Sequence, residues 1–299
     1  MFITKYRKIF VSIGAVSVIL SVIFLAIFGL KFGPDFTGGA VTEVSYEKVA
    51  PGLALLKDDI NALNIGNYTI QPLGEKNVLV RTKFLEEGVK DELHSIFLKE
   101  AGAKIERFNA TGPVISKELT KKSLIAIFVI SLSTIIFIAF VFRGVSEPVS
   151  SWKYGLVAII TLVHDIVIPT GIFAILGKIG SVEIDILFVT ALLSILGISI
   201  NDTIVIFDRI RENLKENKEH HIREEFDLVV GRSLSETFAR SFNTSFTALI
   251  VLLTLYFLGG ESIKYFMLAM TIGMVAGVYS SLFIAAPLLV LMNRKTLQS

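Results

Sequence analysis

Three aspartates stand where the chain otherwise carries no charge. Among its 27 acidic and 29 basic side chains, only Asp165, Asp185 and Asp202 fall inside six long apolar stretches. A charge near the centre of such a stretch costs about 2.5–3.5 kcal/mol on insertion scales, so it faces a bundle interior or a pathway. Asp202 lies in Ile198-Ser199-Ile200-Asn201-Asp202-Thr203, with Ser199 on its helical face and Asn201 beside it. Two readings stand for it: a neutral, hydrogen-bonded packing carboxyl, or a titrating group whose protonation responds to conformation. His164-Asp165 sits mid-stretch, and Pro169 frees the carbonyl of Asp165 to hydrate or kink a helix. A His beside an acid relays protons in some sites. Consecutive side chains diverge by about 100° on a helix, however, so a pair that ties neighbouring helices is an equal alternative.

A polar seam offers a counterpart to Asp202. Arg240, Thr244, Thr247 and Thr254 fall within about 40° of one line on a helix of 3.6 residues per turn. Asn243 is close to that face, which is expected to point inward and be partly hydrated. Arg240 itself reads either as a modulator of Asp202 or as a snorkelling anchor. Farther on, Ala269, Gly273, Gly277, Ser281 and Ala285 repeat at four-residue spacing. That ladder lets another helix approach closely, whether from this chain or a second subunit.

Other chemistries lack their residues. With no Cys there is no thiol nucleophile and no cysteine-ligated metal. Phe36-Thr37-Gly38-Gly39 is a turn and not a phosphate-binding loop. His220 and His221 have no metal-ligand spacing, and no Ser/His/Asp arrangement can be built. A net charge of +2 gives no argument for nucleic acid. No metal, no cofactor and no covalent chemistry are expected; any work done draws on a gradient or a partner.

The elements that position these residues are legible in the composition. The chain of 299 residues is 53% hydrophobic and 19% charged, below the about 25% charged of a soluble domain. The stretches Ile9–Leu30, Ser123–Phe142, Tyr154–Leu176, Ile184–Phe207, Ser241–Leu258 and Tyr265–Met292 each suit a membrane-spanning helix of about 20 residues. The first is too long for a signal-peptide core and reads as an uncleaved anchor. Basic residues at alternate ends set the orientation. Lys5, Arg7, Lys8, Arg143, Lys153, the run Arg209 to Arg240, Arg294 and Lys295 fall on one side, against Lys178 and Lys264 in short loops on the other. Both termini are therefore expected in the cytoplasm.

Three regions follow. Residues 1–30 form the cytoplasmic N-terminus and first span, 31–122 an extracytoplasmic α+β domain, and 123–299 the remaining five spans. In the domain, strands at Val41–Tyr46, Tyr68–Pro72, Val78–Thr82 and Lys104–Asn109 alternate with helices at Ala50–Leu63 and Glu86–Ala101. That βαββαβ order is ferredoxin-like. The charged, amphipathic segment 208–240 reads as a helical hairpin lying along the cytoplasmic surface.

These motifs together resemble the SecF family, the membrane subunits of bacterial SecDF protein-export complexes. The matching segments are Phe32-Gly33-Pro34-Asp35-Phe36-Thr37-Gly38-Gly39, Thr111-Gly112-Pro113, Lys117-Glu118-Leu119 and His164-Asp165. They continue with the long run Gly197 to Asn213 and with Ser233 to Ser245. Where the family typically has Gly-Ile-Asp, this chain has Gly33-Pro34-Asp35, which keeps the acid and stiffens the leading turn. The resemblance implies a six-helix half of a resistance-nodulation-division architecture, completed by SecD. It implies a place in the plasma (inner) membrane beside the SecYEG translocon, and use of the proton-motive force to promote export of unfolded polypeptide. On that pattern Asp202 is the proton-responsive carboxylate and Arg240 its modulator. His164, Asp165, Ser199, Asn201, Asn243, Thr244 and Thr247 supply a polar relay or packing. Asp35, Thr37, Gly38 and Gly39 mark the junction of membrane and outer domain. The rival readings are a passive assembly partner and a proton-driven exporter of lipids or small molecules, the latter disfavoured by so small an outer domain.

Overall fold

The computed structural model describes residues 2–100, 102–141, 149–180 and 182–297. Arg143 and the end positions Ala101 and Phe142 lie outside the described residues, as do the side chains of Arg294 and Lys295. In chain order the elements are α1 (Phe2–Lys5), α2 (Arg7–Phe28), α3 (Pro34–Thr37), β1 (Gly39–Ser45), α4 (Leu53–Ala62), β2 (Tyr68–Leu73), β3 (Asn77–Thr82) and α5 (Glu87–Phe97). They continue with β4 (Lys104–Thr111), α6 (Pro113–Val141), α7 (Ser151–Gly180), α8 (Ile186–Glu219), α9 (Phe226–Leu258), α10 (Glu261–Tyr279), a π-helical segment (Ser280–Ala285) and α11 (Ala286–Leu297). The chain divides into a unit of residues 1–31 with 125–299 and a unit of residues 32–124.

Six helices among the described residues are long and apolar enough to cross a membrane: Arg7–Phe28, Pro113–Ile138, Trp152–Gly180, Ile186–Glu219, Phe226–Leu258 and Ile263–Asn293. In the first unit α10 packs against α7, α8 and α9, while α2 lies along α7. Gly171 of α7 admits this contact, since a Cβ there would stand 2.6 Å from Ser21 Cα. The small-residue ladder finds its neighbour inside the chain. A Cβ on Gly273 would meet Ile195 Cδ1 at 2.0 Å, and one on Gly277 would meet Ser199 Cβ at 3.1 Å. One turn on, Ser281 and Thr203 share a 2.9 Å hydrogen bond. The partner of the ladder is therefore α8, met at three successive turns.

The segment 208–240 differs from the surface hairpin expected of it. Nothing between Ile198 and Glu219 breaks a helix, so α8 runs on unbroken, turns at 220–225, and α9 returns. His221 takes a left-handed φ of 55° at the turn, and Ile222 N–H donates back to Asn217 O at 2.8 Å. The amphipathic faces bury against each other: Ile210, Asn213, Val229, Val230, Ser233 and Leu234 are all buried. Asp185, counted within a span, accepts from Phe188 N–H at 2.9 Å and is the N-cap of α8.

In the second unit the four strands form one antiparallel sheet in the order β2-β3-β1-β4. Its core joins Val44, Val78 and Val80 of the strands to Leu56 and Ile60 of α4 and Leu93 and Phe97 of α5. The β2–β3 turn uses Gly74 at φ 72°, a conformation L side chains resist. Burial is the main force pushing the His94 imidazole below its ordinary pKa, with Lys90 adding to it and Asp91 opposing; the ring meets Phe108 edge-on at 4.9 Å.

Two outcomes follow. Gly273→Val forces Ile195 aside in a packed contact, so it is expected to lower stability by about 1–3 kcal/mol. Gly197→Ala, with open space around its Cβ, serves as the neutral control in thermal unfolding of micellar protein. For His94, a folded-state pKa below the unfolded value means that the unfolded chain takes up the proton first. Stability contributed by the neutral ring is present above about pH 6.5 and is lost as pH falls below it. Amide exchange of α5 and β4 in the full chain, corrected for intrinsic rates, should accelerate below that pH and stay flat in His94→Gln.

Candidate functional site

Among the described residues of the helical unit two carboxylates are buried, Asp165 and Asp202, and their surroundings differ. Asp165 is fully buried. Its Oδ1 accepts from His164 Nδ1 at 2.9 Å, and its Oδ2 accepts from Ser280 Oγ at 2.9 Å and also from Ser199 Oγ. One acid thus ties α7 to α8 and to the π-helical segment. The wider turn of that segment presents Ser280 to α7 and Ser281 to α8, where Ser281 Oγ donates to Ser199 O at 3.3 Å. His164 stacks on Tyr279 at 6.1 Å, and the Tyr279 hydroxyl donates to Phe10 O of α2 at 2.7 Å. The sequence left His164-Asp165 open between relay and packing; the geometry gives them direct contact with each other and with two further elements.

Asp202 is 8% exposed and, among the described residues, accepts one longer bond, 3.3 Å from Ser245 Oγ of α9. Ser199, expected to serve Asp202, instead serves Asp165, though it shares with Asp202 a cavity of about 10 Å³ against Gly273 and Gly277. Asn201 is exposed and turned from the carboxyl's face. Arg240 is exposed as well. Among the described residues no ion pair within 4 Å joins it to Asp202, yet it is near enough for its charge to act there.

The seam on α9 is a correction. Asn243, Thr244, Thr247 and Thr254 point away from this chain's own bundle and are exposed. Thr247 donates to Asn243 O at 3.0 Å and Thr254 to Ile250 O at 2.7 Å. The face of α9 that meets α8 is a different one: Ser233, Thr237, Ser241 and Ser245, all buried, one turn apart. Small hydroxyls at four-residue spacing are the sequence signal that could have found it. Ser280 carried no such signal, because its reach depends on the π-helical turn.

Where α8 and α9 extend together, mostly charged groups line a recess of about 340 Å³: Asp208, Arg209 and Glu212 on one helix, Glu236 and Arg240 on the other, beside Thr237. Arg209 donates to Glu236 and to Glu212, each at 2.6 Å. Asn213 Nδ2 reaches Ser233 Oγ and Glu236 Oε2, each at 2.9 Å.

The remaining residues singled out by sequence belong to the second unit. Asp35 is buried and accepts from Thr111 Oγ1 at 3.1 Å and Asn109 Nδ2 at 3.3 Å, fixing α3 to β4. Thr37 Oγ1 donates to Gly33 O at 3.0 Å. Gly38 and Gly39 carry φ of 75° and 128°, and a Cβ on Gly39 would stand 2.6 Å from Thr82 O. Only glycine fits there.

Comparison with known proteins agrees in sequence and in fold. The family described as "Protein export membrane protein SecD/SecF, C-terminal" matches residues 93–295. The chain is 40% identical to the protein translocase subunit SecF of Thermobaculum terrenum, over 98% of this chain and 94% of that one. It is 34% identical to the SecF of Anaerolinea thermophila, over 95% and 92%. Against the SecDF of Bacillus subtilis the identity is 32% over 95% of this chain, which spans 37% of that longer protein. The crystal structure of SecDF from Thermus thermophilus superposes with a TM-score of 0.82 at 28% identity, covering 97% of this chain and 38% of that one. The chain belongs to the SecD/SecF family of protein export membrane proteins, and matches relatives of the SecF type over nearly their whole length.

Asp165→Asn replaces an oxygen of the carboxyl that three side chains share, and is expected to cost about 1–3 kcal/mol. Asp202→Asn, losing one long bond, should cost less than half as much. Thermal unfolding of both variants in one detergent checks the ranking.

Proposed function

We propose that this chain is the SecF half of a SecDF-type complex and couples the proton-motive force to export of unfolded polypeptide. The observation that carries the reading is Asp202: an acid buried in a membrane-length helix, held among the described residues by one hydroxyl and by no ion pair. Such a group is free to change its proton content when its surroundings change, whereas Asp165 is held by three donors. Arg240 acts on Asp202 through its charge, and protonation alters the pairing of α8 with α9. A proton crossing 100 mV supplies about 2.3 kcal/mol. Moving a two-state element from 1:99 to 99:1 takes about 5.5 kcal/mol, so one proton biases the cycle and does not drive it alone.

Partnership rests on the exposed seam of α9. Asn243, Thr244 and Thr247 would face hydrocarbon in a solitary chain, where a second six-helix half would cover them. The names of the SecDF relatives agree with SecD as that half. On this reading the complex sits in the bacterial plasma (inner) membrane beside SecYEG, with membrane lipid on its remaining faces. Residues 1–30 and 123–299 form the membrane part, with both termini and 208–240 cytoplasmic. Residues 31–122 form a ferredoxin-like domain on the outer side, whose strand order β2-β3-β1-β4 is the one that fold requires. Asp35, Thr37, Gly38 and Gly39 shape the chain's passage into that domain. No covalent chemistry is assigned to any of these groups.

The decisive measurement uses membrane vesicles. Asp202→Asn, at normal protein levels, should abolish the export stimulation that depends on the proton gradient. Undiminished stimulation in that variant would remove Asp202 from the coupling step.

A further inference from the structure

Three rungs fix how α8 and α9 lie against each other: Asn213 with Ser233, Arg209 with Glu236, and Asp202 with Ser245. Their antiparallel register places Ser241 opposite Val205 and Ile206, between the second rung and the third. At 1.5 Å per residue those two rungs are about 10–14 Å apart. On the near side lies the charged recess, whose walls include Val205, Thr237 and Arg240. On the far side lies Asp202. Ser241 Oγ is buried, the residue being 3% exposed, and among the described residues it has no hydrogen-bond partner. Thr237 and Ser245, its neighbours one turn away, both have theirs. A second acceptor without a partner, Asn213 Oδ1, lies beside Glu236 at the other end of the recess. Buried polar atoms of this kind are satisfied by ordered water.

We propose that the recess between α8 and α9 is a water-filled half-channel, and that Ser241 holds the water through which protons reach Asp202. The inference deepens the reading of Asp202 as the proton-responsive group and rests on it. Ser241 is a positioning residue: its hydroxyl accepts one hydrogen bond and donates another, and its own proton content is unchanged. The carboxylate gains a proton, and water in the recess loses one. Asp208, Arg209, Glu212, Glu236 and Arg240, the charged groups lining the recess, keep it wet.

The absence of native Cys makes the test direct. Ser241→Cys is nearly isosteric, and silver ion follows water but not lipid. In inverted vesicles holding the full chain, silver should block the thiol of Ser241→Cys within about tenfold of the rate for Asp208→Cys. The thiol of Phe246→Cys, on an exposed apolar face, should resist it. A Ser241→Cys thiol as slow as that of Phe246→Cys overturns the half-channel. The second measurement follows the carboxyl stretch of Asp202 after a pH jump. Ser241→Ala should slow its appearance at least about tenfold with the final amplitude kept, and Ser241→Thr should restore the rate. An unchanged rate in Ser241→Ala overturns proton delivery through Ser241. If Asp202 takes up no proton in the unmodified chain, proton delivery falls together with the reading of Asp202, while silver labelling still decides whether the recess is wet.

Discussion

The close contact of α10 with α8 sets the distances on which the polar interior depends. Gly273 against Ile195, Gly277 against Ser199 and Ser281 against Thr203 keep the two backbones near each other for three turns. In a membrane there is no hydrophobic drive to press helices together, so packing and interhelical hydrogen bonds supply the contact. Only at that separation does the π-helical segment bring Ser280 to Asp165 while Ser281 reaches α8. The same contact closes the small cavity in which Ser199 and Asp202 meet. A larger side chain at either glycine would act on both acids at once.

The two acids then divide the labour that buried charge can do. Breaking a buried polar network is costly because groups left without partners stay in low dielectric. Asp165 has satisfied that demand with donors from its own helix and from two others, and its stacked His164 extends the tie through Tyr279 to α2. Such a group resists change. Among the described residues Asp202 has one hydroxyl, a nearby cation without an ion-pair contact, and a recess a few turns away. On the reading proposed above, incomplete satisfaction is the property that suits it to exchange a proton, and Asp165 holds still the helix on which it does so.

Legibility in the sequence followed the physics of each signal. The six helices were plain because an apolar stretch of bilayer length, almost empty of charge, matches a hydrocarbon core and little else. The strands and helices of residues 32–124 were placed by alternation and turn glycines, with ends off by a few residues where caps decide. Asp165 and Asp202 announced themselves as charges in apolar runs. Their partners did not. A Ser within an apolar helix costs little and looks like packing, so nothing marks Ser245, and Ser199, one turn from Asp202 in sequence, bonds Asp165 instead. Side-chain spacing within one helix says which residues share a face, never which neighbour that face will meet. The seam of α9 is a real polar face, exposed on this chain; the face turned to α8 is the quieter one of Ser233, Thr237, Ser241 and Ser245.

The outward direction of that seam is informative about what the chain must meet. Thr247 and Thr254 return their hydroxyls to their own helix, which lets a threonine tolerate hydrocarbon. Asn243 has an amide too large to be silenced that way, and Arg240 is charged; both are exposed on the same helix. Arg240 lines the charged recess with Asp208 and Glu236, and a guanidinium on a long stem reaches water from such a position. Asn243, nearer the centre of the helix, needs a polar neighbour or buried water from outside the chain. Polarity on α9 therefore falls from the recess toward the middle of the helix, alongside Asp202. A partner that supplied donors along this edge would complete the hydrogen bonding of α9 at the depth of Asp202.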